Sequence, residues 1–201
     1  GDELGPGRGT LMADALRATR KITGFPKAAQ IHLVEISTTL REIQAQTLKG
    51  ACAPVWHDDI TTLPSGPAIV IANEFLDVLP VEQHIYHDGA WHLRMVGLDA
   101  NSKPAFIRGM PSLPPDALLP APPKNGDILE SHPGVAEIMA GLAKGKTPLA
   151  MLFIDYGYAL PTYGDTFQAM RHHAYANPFE TPSVADLTSH VNFAEIRIAA
   201  Q

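Results

Sequence analysis

The residues with the most chemical content stand near the start of the chain, in Glu3-Leu4-Gly5-Pro6-Gly7-Arg8-Gly9. Glycines let a backbone turn through positive φ and approach a ligand closely. The N–H groups of such a loop, with the N-terminus of the helix it opens, attract an anionic group. Glu3, just before the loop, suits a cationic one. Glu35 ends the apolar run Ile31-His32-Leu33-Val34, where a carboxylate can accept from both hydroxyls of a ribose. Asp58 and Asp59 follow the next extended run. Either can accept from the amino group of an adenine.

The glycine spacing separates two cofactor classes. A dinucleotide fingerprint reads G-x-G-x-x-G. Here the third glycine comes one residue early, at Gly9, and Thr10 stands where that pattern wants glycine. E-x-G-x-G-x-G is the form found in methyltransferases that use S-adenosyl-L-methionine. On that reading the loop, through Gly5, Gly7 and Gly9, holds the methionine carboxylate of the cofactor. Glu3 orients its amino end, Glu35 takes the ribose, and Asp58 or Asp59 takes the adenine.

A second group follows the apolar run Ala68 to Ala72: Asn73, Glu74 and Asp77. Methyl transfer is an in-line displacement, and its main demand is alignment in a site stripped of water. A guanidinium acceptor is always protonated and therefore a poor nucleophile. A carboxylate near the methyl can clamp it bidentately. If Glu74 opens a helix, Asp77 lies three residues on and shares its face. Asn73, which also borders the cofactor cleft, can orient the acceptor through its amide. Asp155 ends the run Pro148 to Ile154, and Tyr156 and Tyr158 beside it can wall an acceptor pocket. His172 and His190 are candidate general bases, with a structural role the simpler reading. Trp56 and Trp91 read as core or hairpin packing.

These residues need a scaffold. Thr10 reads as the cap of a helix to about Arg20, and Ser37 as the cap of a helix from Thr38 to Thr47. With extended runs at 31–35, 54–57, 68–72 and 148–155, the alternation predicts an α/β, Rossmann-like fold. Its sheet is mostly parallel with helices on both faces. Ligands in such sheets bind outside the carboxyl ends of the strands. A glycine loop normally follows a strand, and almost no chain precedes Gly5. The first strand is therefore expected to be truncated or missing. Gln83 to Tyr86 and Trp91 to Val96 flank an Asp-Gly turn and predict a hairpin, with a third run at 105–108. Six prolines between Pro111 and Pro123 predict an irregular loop. Residues 81–125 thus read as an antiparallel insertion in a single 201-residue domain. Helices are expected over 133–143 and 193–200.

Composition removes other classes. The net charge is -6, from 15 basic and 21 acidic residues, and no basic run offers a nucleic-acid surface. No stretch approaches the ~20 apolar residues of a membrane helix. The chain has one cysteine, Cys52, and nine scattered histidines. No spacing resembles a metal site. The oligomeric state is not legible.

ELGPGRGTL, HLVEIS, IANEFLDVLPVEQ, IDYGY, GDTFQAMRHH and DLTSHVNF occur in this order. Together they closely resemble the MidA-like family, whose mitochondrial members act in assembly of respiratory complex I. The likeness runs from Glu3 to about Phe193. It implies a class I methyltransferase fold, S-adenosyl-L-methionine as cofactor and a protein substrate. In the mitochondrial members it implies symmetric dimethylation of an arginine on a complex I subunit. The implied location is the cytoplasm for a bacterial member and the mitochondrial matrix for a eukaryotic one. A methyltransferase for another acceptor, or a catalytically silent cofactor-binding assembly factor, is the alternative. Family members usually carry a substantial region before the glycine loop, expected to supply the first strand and part of the acceptor pocket. Asn192 stands where the family leads us to expect Asp.

Overall fold

Short apolar runs alternate with amphipathic ones through the first half of the chain, and each becomes a strand or a helix. The computed structural model describes residues 1–171, 174–180 and 184–201. In chain order the elements are β1 (Asp2–Leu4), α1 (Thr10–Thr19), α2 (Phe25–Ala28), β2 (His32–Val34), α3 (Thr38–Thr47), β3 (Val55–His57) and β4 (Ala68–Asn73). Then come β5 (Glu82–His87), β6 (Ala90–Leu98), β7 (Pro104–Pro111), β8 (Ile128–Ser131), α4 (Gly134–Ala143) and β9 (Leu149–Ile154). The chain finishes with β10 (Gly157–Tyr158), β11 (Gln168–Arg171), β12 (Ala174–Ala176), β13 (Asp186–Thr188), β14 (Val191–Asn192) and α5 (Phe193–Ala199). Two compact units result: Gly1–Phe75 with Ile138–Asp155, and Leu76–Glu137 with Tyr156–Gln201.

The first unit holds a five-stranded sheet in the order β3-β2-β1-β4-β9, parallel at every pairing. A strand does precede the glycine loop. Three residues suffice for β1 because it lies in the middle of the sheet. It ladders to β2 on one side and β4 on the other, with every residue buried. Leu4, Val70 and Ala72 pack against Leu142 on one face. Ile31 and Leu33 pack against Met12 and Leu48 on the other. Ser37 caps α3 as expected, accepting from the Leu40 N–H at 3.3 Å. The cap of α1 is Gly9 and not Thr10. Gly9 sits at φ 77, and its carbonyl already accepts the first helical bond, from Ala13 at 3.1 Å.

The second unit contains a four-stranded antiparallel sheet, β7-β6-β5-β8. Its hairpin turns at Asp88 and Gly89, both at positive φ, as a two-residue Asp-Gly turn requires. Trp91 is buried with Leu118 and Leu129. Leu118 belongs to a single helical turn, Asp116–Leu118, inside the otherwise irregular proline-rich stretch. Two sheets escaped the sequence reading: β12-β11-β13 and the short pair β10-β14. The GDTF segment is anchored by Glu130, a buried carboxylate on β8. It accepts from Gln83 Nε2 at 2.6 Å, Thr166 N at 2.9 Å and Phe167 N at 3.2 Å, and from the Thr166 hydroxyl.

Candidate active site

Parallel strands end on one edge, and in the first unit that edge gathers the glycine loop, Glu35, Asp58, Asn73, Glu74 and Asp155. The loop turns on three glycines at positive φ, at 57, 52 and 77 for Gly5, Gly7 and Gly9. Nothing lies within 4 Å of where a Cβ on Gly7 would stand, so the backbone there is open to a ligand. α1 behind the loop has no side-chain cap and no acid in its first turn. Its N-terminal amides, with the positive end of the helix dipole, are left facing the loop.

Glu3 stands on the strand that enters this loop. It is 2% exposed, and its Oε2 has no hydrogen-bond partner. Burial pushes its carboxyl up to about 7. A buried carboxylate in this state is costly unless a cation joins it. The uncapped helix end and the orphaned carboxylate are complementary to the two charges of an α-amino acid. The site therefore fits the methionine end of S-adenosyl-L-methionine.

Glu35 follows β2 and is held from several sides. Its Oε1 accepts from Ser37 N at 2.8 Å, and its carbonyl from Arg41 Nε at 2.7 Å. Its Oε2 accepts from Gln44 Nε2 at 3.3 Å. Gln44 is fully buried and also donates to the Gly7 carbonyl at 2.8 Å. Its oxygen accepts from the Trp56 indole at 2.8 Å. An indole N–H can only donate, so this bond fixes which way the amide points. Gln44 escaped the sequence reading. The signal was a polar residue in the helical spacing Leu40, Gln44, Leu48, where an apolar one is expected.

Asp58 and Asp59 differ in their surroundings. Asp58 is exposed and pairs with Arg41 at 2.6 Å. Asp59 caps the helical turn Ile60–Thr62, accepting from Thr61 N at 2.7 Å. That bond holds its carboxyl below the usual range.

Asn73 ends β4 beside Ile154. Glu74 does not open a helix. It sits at φ 48 in a bend, and its N–H donates to the Ile154 carbonyl at 2.9 Å. Leu79 precedes Pro80, a position that disfavours helix. Glu74 and Asp77 therefore share no helical face, contrary to the expectation from their spacing. Asp155 directly follows β9. Asp77 belongs to the second unit, buried, with its carbonyl accepting from Ser189 N at 2.9 Å. Tyr156 and Tyr158 also fall there. Burial, then the nearby charges of Glu130 and Glu195, pushes the Tyr158 phenol up. His190 donates its backbone N–H to the Thr166 hydroxyl at 2.8 Å. His172 lies outside the described residues. Among the described residues, no group of three or more His, Cys, Asp or Glu is placed to hold a metal ion. No helix among them is long and apolar enough to cross a membrane.

Residues 2–201 match the family described as "Putative S-adenosyl-L-methionine-dependent methyltransferase". The chain belongs to this methyltransferase family. Its Rossmann-like fold and its cofactor, S-adenosyl-L-methionine, agree with the sequence reading. The chain is similar to the protein arginine methyltransferase NDUFAF7, mitochondrial, of Homo sapiens. The two are 33% identical over 226 residues, covering 99% of this chain and 51% of that protein. The NDUFAF7 homolog of Drosophila melanogaster is 30% identical over 231 residues, with 99% and 52% covered. Among solved structures, a Burkholderia thailandensis protein bound to S-adenosyl-homocysteine superposes with a TM-score of 0.84. It is 25% identical, with 99% of this chain and 54% of that chain covered. The chain thus spans about half the length of the methyltransferase relatives it matches.

Proposed function

We propose that this chain carries the cofactor core of a methyltransferase that modifies an arginine side chain of a protein. The observation that carries the reading is the pairing of an uncapped α1 with the orphaned carboxylate of Glu3. The names of the relatives support arginine as acceptor. The resemblance to the MidA-like family makes a complex I subunit the first acceptor protein to try.

When bound, S-adenosyl-L-methionine supplies an electrophilic methyl group on a sulfonium. The residues of the chain bind and orient. Glu3 takes the ammonium of the methionine end, and the amides of Gly5 to Gly9 with α1 take its carboxylate. Glu35 accepts from the ribose hydroxyls, in the orientation that Ser37 and Gln44 impose. Asp58 is the acceptor for the adenine amino group, with Asp59 shaping the turn. Asn73, Glu74 and Asp155 stand at the carboxyl ends of β4 and β9. There they hold the guanidinium, orient one nitrogen and receive the proton it gives up. Asp77 is a further acceptor carboxylate, to be judged by its own Asp77→Asn variant.

Calorimetric titration with S-adenosyl-L-methionine and S-adenosyl-homocysteine, with NAD as control, tests the cofactor part. Saturable binding of the first two, lost in Glu35→Ala, is expected. Absence of binding by the folded chain rejects it. Incubation with arginine-containing peptides and mass spectrometry tests the acceptor. Methylation of lysine or of a small molecule, with arginine untouched, would replace the arginine reading.

A further inference from the structure

Arg41 lies in the first turn of α3, near the positive end of the helix dipole, where a cation is disfavoured. Its bonds explain its place. Its Nε donates to the Glu35 carbonyl at 2.7 Å, and its Nη2 to Asp58 Oδ1 at 2.6 Å. Glu35 follows β2 and Asp58 follows β3, so one planar guanidinium ties together the ends of two neighbouring strands. The fork of an arginine can hold both partners at once, which the single ammonium of a lysine does less well.

Asp58 needs such a hold. The chain on either side of it is fixed. His57 is the last residue of β3, paired with Val34, and Asp59 caps the following turn by accepting from Thr61 N at 2.7 Å. The Asp58 side chain itself is 85% exposed, against 26% for that of Arg41. An exposed ion pair is usually worth little, in part because two side chains must be ordered to make it. Here the bond to the Glu35 carbonyl already orders Arg41. Only the short aspartate is left to be stilled, and the pair picks out one of its orientations.

That orientation bears on which base is bound. A carboxylate can only accept hydrogen bonds. Adenine offers it an amino donor, whereas hypoxanthine has a carbonyl oxygen in the same place. A fixed carboxylate rewards the first and repels the second. A carboxylate free to turn swings away from the carbonyl and discriminates less. With Oδ1 taken by Arg41, Oδ2 is the oxygen that meets the base.

We infer that Arg41 is a positioning residue: by bridging Glu35 and Asp58 it fixes the Asp58 carboxylate and sets the preference of the cofactor site for an amino-bearing over a carbonyl-bearing purine. The inference rests on the proposed role of Asp58 as acceptor for the adenine amino group.

The test titrates the chain with S-adenosyl-homocysteine and S-inosyl-homocysteine, in which the amino group is replaced by a carbonyl. The ratio of the two affinities is the readout, because partial unfolding of a variant lowers both alike. In Arg41→Ala the preference for the adenosyl compound is expected to fall about fivefold, the worth of one ordinary hydrogen bond. Asp58→Ala should lose as much, and the double variant no more, since the two act through one contact. Arg41→Lys keeps the charge without the bridge and should resemble Arg41→Ala. A ratio preserved in Arg41→Lys would assign the effect to charge and overturn the inference. Equal loss of both affinities in Arg41→Ala, with the preference lost in Asp58→Ala, also overturns it but leaves Asp58 as the base acceptor. A ratio unchanged in both alanine variants overturns the role of Asp58 and the inference with it. Tighter adenosyl binding by Arg41→Ala would show that Arg41 competes with the base for Asp58, and the positioning role falls.

Discussion

The side-chain amide of Gln44 donates to the carbonyl of Gly7 at 2.8 Å. The same nitrogen reaches Glu35 at 3.3 Å, so one buried glutamine sets the glycine loop in register with the Glu35 carboxylate. Gln44→Ala leaves the half-buried Trp56 N–H and one Glu35 oxygen without the partner Gln44 gives them. The cost is about 2 kcal/mol of stability, read as a fall of roughly 4–8 °C in thermal midpoint. The affinity for S-adenosyl-homocysteine falls at least tenfold beyond what unfolding explains. Unchanged affinity in the folded variant would make Gln44 a packing residue only.

Glu3 gives the chain a pH dependence whose sign can be stated. Burial raises its folded carboxyl to about 7 from 4.5. The folded state thus favours the protonated form. This contribution to stability is complete below 4.5 and is lost as pH rises through 7. Binding of an ammonium needs the ionised form and runs the other way. Affinity for S-adenosyl-homocysteine should fall about tenfold per unit below pH 7. Glu3→Gln flattens both trends, measured by urea unfolding and titration between pH 5 and 7.5. A variant that keeps the slopes assigns them to another group.

Gly7 separates ligand space from fold. Its φ of 52 makes any side chain strained there, yet no atom lies within 4 Å of the added Cβ. Gly7→Ala costs about 1 kcal/mol in unfolding free energy. Its loss of cofactor affinity is larger, at least tenfold, because the methyl occupies the space beside the loop. Equal losses in both would mean that the loop is only a turn.

Much of the first unit was legible because its signals are local. Ser37 was read as a helix cap from residue type and position, and β4 and β9 from continuous apolar runs. β1 was not, since three residues carry no periodicity and become a strand only between two neighbours. Glu74 was misplaced because an acid after a strand looks like a helix start. Its positive φ and Pro80 reverse that. Gln44 and Glu130 escaped because their partners are 37 and 36 residues away, at Gly7 and Thr166. Distances of that kind are set by the fold.

Lys146 and Asp2 form a buried pair in the first unit, 3.0 Å apart, with side chains 2% and 4% exposed. The Lys146 ammonium also donates to the Pro64 carbonyl at 2.7 Å. Lys146→Met strands the Asp2 carboxylate and costs about 3–5 kcal/mol. Adding Asp2→Asn removes the stranded charge and should restore at least half. A double variant as unstable as the single one would show that packing, not charge, sets the cost.

Glu74 joins strain and candidate chemistry in one residue. A non-glycine residue at φ 48 costs about 1–2 kcal/mol, and such strain concentrates at functional sites. Its N–H is fixed on the Ile154 carbonyl, at the edge where Asn73 ends β4 and Asp155 follows β9. Glu74→Gly relieves the strain and should stabilise the chain by about 1 kcal/mol. It also deletes the carboxylate. Glu74→Gln keeps the shape and deletes only the charge. Both should bind S-adenosyl-homocysteine within threefold of the unaltered chain while methylation of an arginine peptide drops about a hundredfold. Full transfer by Glu74→Gln would show that the carboxylate does not hold the acceptor. A joint loss of cofactor affinity would instead move Glu74 to the cofactor side of the site.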